Sequence, residues 1–156
     1  MPVPDLDVLA EGDLPTGEHW ILKAGGTSAD DFYTLLETIH PDGHRDQGGI
    51  GGPALYPGSL MNTYTGGSGQ GLRRVVVRAD PRVAWVRVQL ASGEQLDLPP
   101  LATRPEVGVS FFATLLPKTA QLASVTAISA DGQVLEPQDL SRHEEGWQRF
   151  GRRHRQ

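Results

Sequence analysis

His40-Pro41-Asp42-Gly43-His44-Arg45-Asp46 is the densest group of chemistry-bearing side chains in this sequence. Two imidazoles and two carboxylates in one short stretch are donors of the type that hold zinc or another divalent ion. On a helix His40 and His44 would share a face, but Pro41 and Gly43 deny that helix. A tight hairpin brings the two rings together if they stand opposite each other across its strands. The competing reading is a polar, exposed turn whose imidazoles simply titrate. A metal-binding protein or metal-dependent hydrolase using His40, Asp42 and His44 is the alternative function carried forward.

Other motifs fall short of chemistry. His143-Glu144-Glu145-Gly146-Trp147 begins like H-E-x-x-H, but Trp147 stands where zinc needs its second imidazole. The glycine runs Gly48-Gly49-Ile50-Gly51-Gly52-Pro53 and Gly66-Gly67-Ser68-Gly69-Gln70-Gly71 lead into a proline and a strand. A phosphate loop needs a helix N-terminus and, in the P-loop, a lysine, and neither run has one. The second run also misses the G-x-S-x-G nucleophile elbow by its last residue. Asp30 and Asp31 are adjacent, so a strand would point them to opposite faces, which is not a glycosidase pair. The chain has no cysteine, which excludes disulfides, thiolate nucleophiles and cysteine-held metals. No catalytic residue, metal ligand or cofactor is assigned from these motifs.

The C-terminal stretch is the candidate for partner binding: Trp147, Arg149, Phe150, Arg152 and Arg153, followed by His154 and Arg155. Aromatic and arginine side chains dominate the energetics of protein interfaces. Leu140, His143, Trp147 and Phe150 recur at helical spacing, and Ser141 with Glu144 fits a capping box, so one short amphipathic helix is expected here.

The elements that would position these residues are strands. Trp20, Leu22 and Ala24 alternate, as do Ala84, Val86, Val88 and Leu90, and Val109, Phe111, Ala113 and Leu115. Ser92-Gly93 and Asp131-Gly132 turn hairpins, and Pro99-Pro100 ends one strand by removing backbone donors. Residues 31–39 fit two patterns. Phe32, Leu35, Leu36 and Ile39 have helical spacing, whereas Tyr33, Leu35 and Ile39 alternate ahead of the strong Pro41-Asp42-Gly43 turn. Residues 43–71 hold ten glycines and read as long loops, with one short strand from Leu60 to Thr65. Five to eight short strands separated by frequent turns describe an antiparallel β-sandwich of immunoglobulin-like shape.

A length of 156 residues fits one domain. Nineteen glycines and twelve prolines favour turns over long helices. A formal charge of −5 argues against wholesale nucleic-acid binding, and no apolar run reaches the ~18 residues of a membrane span. Charge is uneven, since residues 1–50 carry ten acids and two bases, whereas residues 141–156 carry five arginines and two glutamates. The first residues lack the basic and apolar regions of a secretory signal, so a cytoplasmic protein is expected.

Gly51-Gly52-Pro53-Ala54-Leu55-Tyr56-Pro57-Gly58, the run from Val75 to Pro100, Phe111–Pro117 and Ser129–Leu140 resemble a group of actinobacterial all-β, sandwich-like proteins of unknown function. The resemblance covers roughly residues 19–135. It implies a fold but no site residue, and it favours a strand over residues 31–39. The sequence therefore predicts a flexible arm over 1–17, a β-sandwich over 18–137, and a helix with a basic tail over 138–156. The expected function is a non-enzymatic protein-interaction or assembly module that acts through the tail and the glycine-rich loops. It has a protein partner or forms a homo-oligomer.

Overall fold

A computed structural model describes residues 6–67 and 72–140. Twelve strands follow one another: β1 (Asp7–Asp13), β2 (His19–Ser28), β3 (Asp31–Ile39), β4 (Arg45–Ile50), β5 (Met61–Gly66), β6 (Arg73–Ala79), β7 (Trp85–Leu90), β8 (Gln95–Leu98), β9 (Ala102–Arg104), β10 (Val109–Leu116), β11 (Leu122–Ile128) and β12 (Val134–Asp139). They form three four-stranded antiparallel sheets: an N-terminal sheet β1-β2-β3-β4, a middle sheet β5-β6-β10-β9 and a far sheet β12-β11-β7-β8. The described residues are all-β, and no helix among them is long and apolar enough to cross a membrane.

The middle sheet is buried on both faces, because its strands carry apolar side chains at odd and even positions alike. Val75, Val77, Ala79, Phe112 and Leu116 meet Val86, Val88, Leu122, Val125 and Ala127 of the far sheet. Val76, Val109 and Phe111 point the other way, onto Leu22, Ala24, Phe32 and Leu36 of the N-terminal sheet. Every residue of β6 is buried. Each such valine or phenylalanine contributes about 1.5–3 kcal/mol by leaving water, which makes β6 and β10 the centre of the stack.

Four hairpins use one turn geometry. In each, a glycine at positive φ donates its N–H to the carbonyl three residues back: Gly17 to Leu14, Gly43 to His40, Gly93 to Leu90 and Gly132 to Ser129. This three-residue connection, with its left-handed last residue, matches the twist of the strands it joins. Because strands alternate in direction, the turns at 14–18, 40–44 and 90–94 lie at one end of the stack together with the 117–121 connection and Leu140. We call this the hairpin end. The 51–60, 80–84 and 129–133 connections lie at the opposite end.

Arg78 closes that opposite end. Its guanidinium is fully buried and donates to the carbonyls of Phe32 (3.1 Å), Gly51 (3.2 Å) and Pro53 (2.7 Å), while it sits 5.8 Å from the Phe32 ring centre. Among the described residues no carboxylate pairs with it. Burial pushes its pKa down to about 10, so it is still charged at neutral pH.

Several expectations are corrected. Twelve strands form where five to eight were expected. Residues 7–13 of the expected arm are β1, paired along β2. Residues 31–39 are the expected strand, with Tyr33, Leu35 and Ile39 on one face as read; that face is the outer one, and the buried row is Phe32, Thr34, Leu36 and Thr38. The glycine-rich stretch 43–71 contains β4 as well as β5. Gly49 explains β4, since a Cβ there would collide with the Thr34 carbonyl of the neighbouring strand. A Cβ on Gly48 would fall 2.5 Å from the Tyr64 hydroxyl. These glycines permit close approach of backbone and ring, which a loop reading does not anticipate. The expected C-terminal helix lies outside the described residues.

Candidate functional site

The β3–β4 hairpin brings His40 and His44 together. Their backbones pair, with the His40 N–H on the His44 carbonyl at 2.8 Å, and their rings stack with centres 5.7 Å apart. Both rings turn onto Asp46. The Nε2–H of His40 donates to Asp46 Oδ2 at 2.6 Å, and the Nε2–H of His44 donates to Oδ1 at 3.1 Å. Arg74, on β6 of the middle sheet, places Nη2 3.9 Å from Asp46 Oδ2. The His40 hydrogen bond, with the charges of His44, His40 and Arg74, holds the Asp46 carboxyl below the usual carboxylate range, although burial opposes this. Asp42 serves the turn itself, its Oδ1 accepting the His44 backbone N–H at 2.9 Å.

Register explains why Asp46 faces inward. Gly12, Trp20, Thr38 and Asp46 are direct neighbours across β1 to β4, and all four face the middle sheet. Thr38 is 1% exposed, and its hydroxyl has no hydrogen-bond partner among the described residues. On the outer face of the same sheet, Glu37 bridges Lys23 (3.6 Å) and Arg45 (3.0 Å). Nearby, His19 is bracketed by Asp13 (Nδ1 to Oδ1, 2.8 Å) and Glu11 (Nε2 to Oε1, 3.1 Å). Both ring nitrogens face carboxylate oxygens, which favours the protonated ring, and the Asp13 hydrogen bond raises its pKa most.

Of the residues singled out from sequence, the structure joins His40 with His44 and adds Asp46, rather than Asp42, as their common partner. Each imidazole addresses a separate oxygen of one carboxylate instead of converging with its neighbour on a shared point. Among the described residues no group of three His, Cys, Asp or Glu side chains is arranged to hold a metal ion. The two glycine runs lie apart: Gly48–Pro53 leads to the opposite end, and Gly66-Gly67 leaves β5 at the hairpin end. Trp147, Arg149, Phe150, Arg152, Arg153 and His143 lie outside the described residues, as does Ser68. Sequence reasoning missed Arg74. The available signal was its place in Arg73-Arg74-Val75-Val76-Val77-Arg78, where a charge inside a buried strand requires a partner.

The chain has no significant match to a protein family, a curated protein or a solved structure. What can be argued about its function therefore rests on this geometry.

Proposed function

We propose that this chain is a non-enzymatic protein-interaction module that meets its partner with the hairpin end and the basic segment 141–156. The observation that carries this reading is the position of Leu140, the residue from which the basic segment continues. Leu140 is 7% exposed, packed into the core between the middle and far sheets at the hairpin end. The sequence after Leu140 carries Trp147, Arg149, Phe150, Arg152 and Arg153, and the hairpin end itself carries Asp13, Glu18, Asp42 and the imidazoles of His40 and His44. Arginine and aromatic side chains are the types that interface hot spots favour, and the arginine charge complements an acidic rim.

The strand orders support the immunoglobulin-like part of the reading. The middle sheet β5-β6-β10-β9 follows the A-B-E-D order of such sandwiches, and the far sheet β12-β11-β7-β8 follows G-F-C-C′. The N-terminal sheet is then an additional layer over the A-B-E-D face. A fold of this type assigns no partner by itself, and the tail and rim have to do so.

Capture from a lysate of the source organism tests the proposal, comparing the whole chain with one ending at Leu140 and with an Arg149→Ser, Arg152→Ser, Arg153→Ser variant. A partner retained by the whole chain and lost by both others is expected. The same partner on all three would refute the tail's role. Sedimentation velocity of the purified chain identifies the case in which the partner is a second copy.

A further inference from the structure

A pocket of about 160 Å³, partly open to solvent, lies between the N-terminal and middle sheets at the hairpin end. Leu14, Trp20 and Leu36 form one wall, and Leu101, Ala113 and Leu115 the other; Thr114, between Ala113 and Leu115 on β10, turns its side chain to the opposite face of the strand and borders the space through its backbone. The side chains that face the space are apolar, with backbone polar groups between them. Among the described lining residues there is no charged side chain to match an ion.

The space is kept open by a specific device. Trp20 is the residue large enough to fill it, yet its ring lies over Gly12 on β1. A Cβ on Gly12 would stand 2.8–2.9 Å from three atoms of the indole, so only glycine lets the ring rest there. Leu14, at the cavity's edge, is held by the 14–18 turn, its N–H on the Glu18 carbonyl at 2.8 Å.

We propose that this cavity is a binding site for a small uncharged molecule with an apolar body, a single aromatic ring or a short alkyl chain. Its size sets the limit, since a space of about 150 Å³ lined by apolar side chains accepts benzene. A long acyl chain or a fused ring system exceeds it. The pocket lies at the same end as the proposed partner surface, but none of its described lining residues belongs to the acidic rim.

Benzene is the probe, read by methyl NMR of Leu14, Leu36 and Leu115 and by the melting temperature of the whole chain. Saturable shifts at these methyls are expected, with a Kd of about a millimolar or tighter for so few heavy atoms. The melting temperature should rise with benzene in parallel. Ala113→Leu fills the space and should weaken binding at least tenfold with stability kept or raised. Should that variant fail to fold, Leu101→Phe fills the same space from the other edge. Gly12→Ala displaces the Trp20 ring and should also weaken binding. Absence of saturable shifts in the unmodified chain would overturn the proposal, and so would shifts that persist unchanged in the filled variant, since benzene would then sit elsewhere.

Discussion

Asp46 is the residue on which the hairpin end depends, because both of its oxygens accept from imidazoles and Arg74 lies behind it. Asp46→Asn removes charge-assisted bonds and leaves the buried Arg74 without its carboxylate, with an expected loss of about 1–2 kcal/mol near neutral pH. The depressed pKa of Asp46 sets the sign of its pH dependence. Its contribution is fully present above the unfolded carboxylate value, near pH 4, and is lost as pH falls through the lower folded value. Melting curves of the two proteins should therefore differ at neutral pH and converge in strong acid. His19 has the opposite sign. Its pKa is raised, chiefly by the Asp13 hydrogen bond, so the stabilisation is present below the unfolded imidazole value and lost as pH rises through the folded one. NMR titration should place His19 above the ordinary imidazole value, and Asp13→Asn should bring it down. The pairing of His40 with His44 was legible because Pro41-Asp42-Gly43 dictates a hairpin. Arg74 was not, because its partner comes from another sheet and no local pattern encodes that contact.

At the scale of elements, turns and apolar alternation were legible and glycine strands were not. β4 carries Gly48 and Gly49, so it lacks the side-chain rhythm from which a strand is read, and its place is set by close approach to β3 and Tyr64. Gly49→Val should cost about 2–3 kcal/mol by forcing β4 from the Thr34 carbonyl, which denaturant unfolding measures. β1 escaped for another reason. Its pairing with β2 slips between Val8 and Ala10, so the bulge at Leu9 breaks the period of two. Residues 31–39 show the limit of periodicity, since one segment satisfied both rules and only the buried row on Phe32, Thr34, Leu36 and Thr38 separates them. Arg78 ties elements together, joining β6 to Phe32 of β3 and to the 51–53 loop. Arg78→Met should cost about 3 kcal/mol or more, because it orphans buried carbonyls that no apolar chain can satisfy. Arg78→Lys should recover little of this, since one ammonium cannot span the same three acceptors.

Across the whole molecule, two cores share one sheet, so neither outer sheet can part from the stack without exposing a face of β6 or β10. Amides of Val75, Val76 and Val77 should exchange with solvent only through global unfolding, whereas those of β1 and β12 at the edges should exchange through local opening. Hydrogen exchange that frees the N-terminal sheet and β6 at the same low cost would contradict the shared-core account. The continuous Val75-Val76-Val77 run suits a strand buried on two faces, and the sheet that covers one of those faces is completed at its edges by β1 and β4, the two strands least readable in sequence. The same arrangement gathers the 14–18, 40–44, 90–94 and 117–121 connections and Leu140 at one end, where recognition is proposed. Site-specific photo-crosslinking tests that claim most directly, with the reactive group at Lys118 on the hairpin end or at Asp131 on the opposite one. Partner adducts from position 118 that vanish when the chain ends at Leu140, with none from position 131, are the predicted result. Adducts from position 131 alone, or adducts indifferent to the tail, would contradict it.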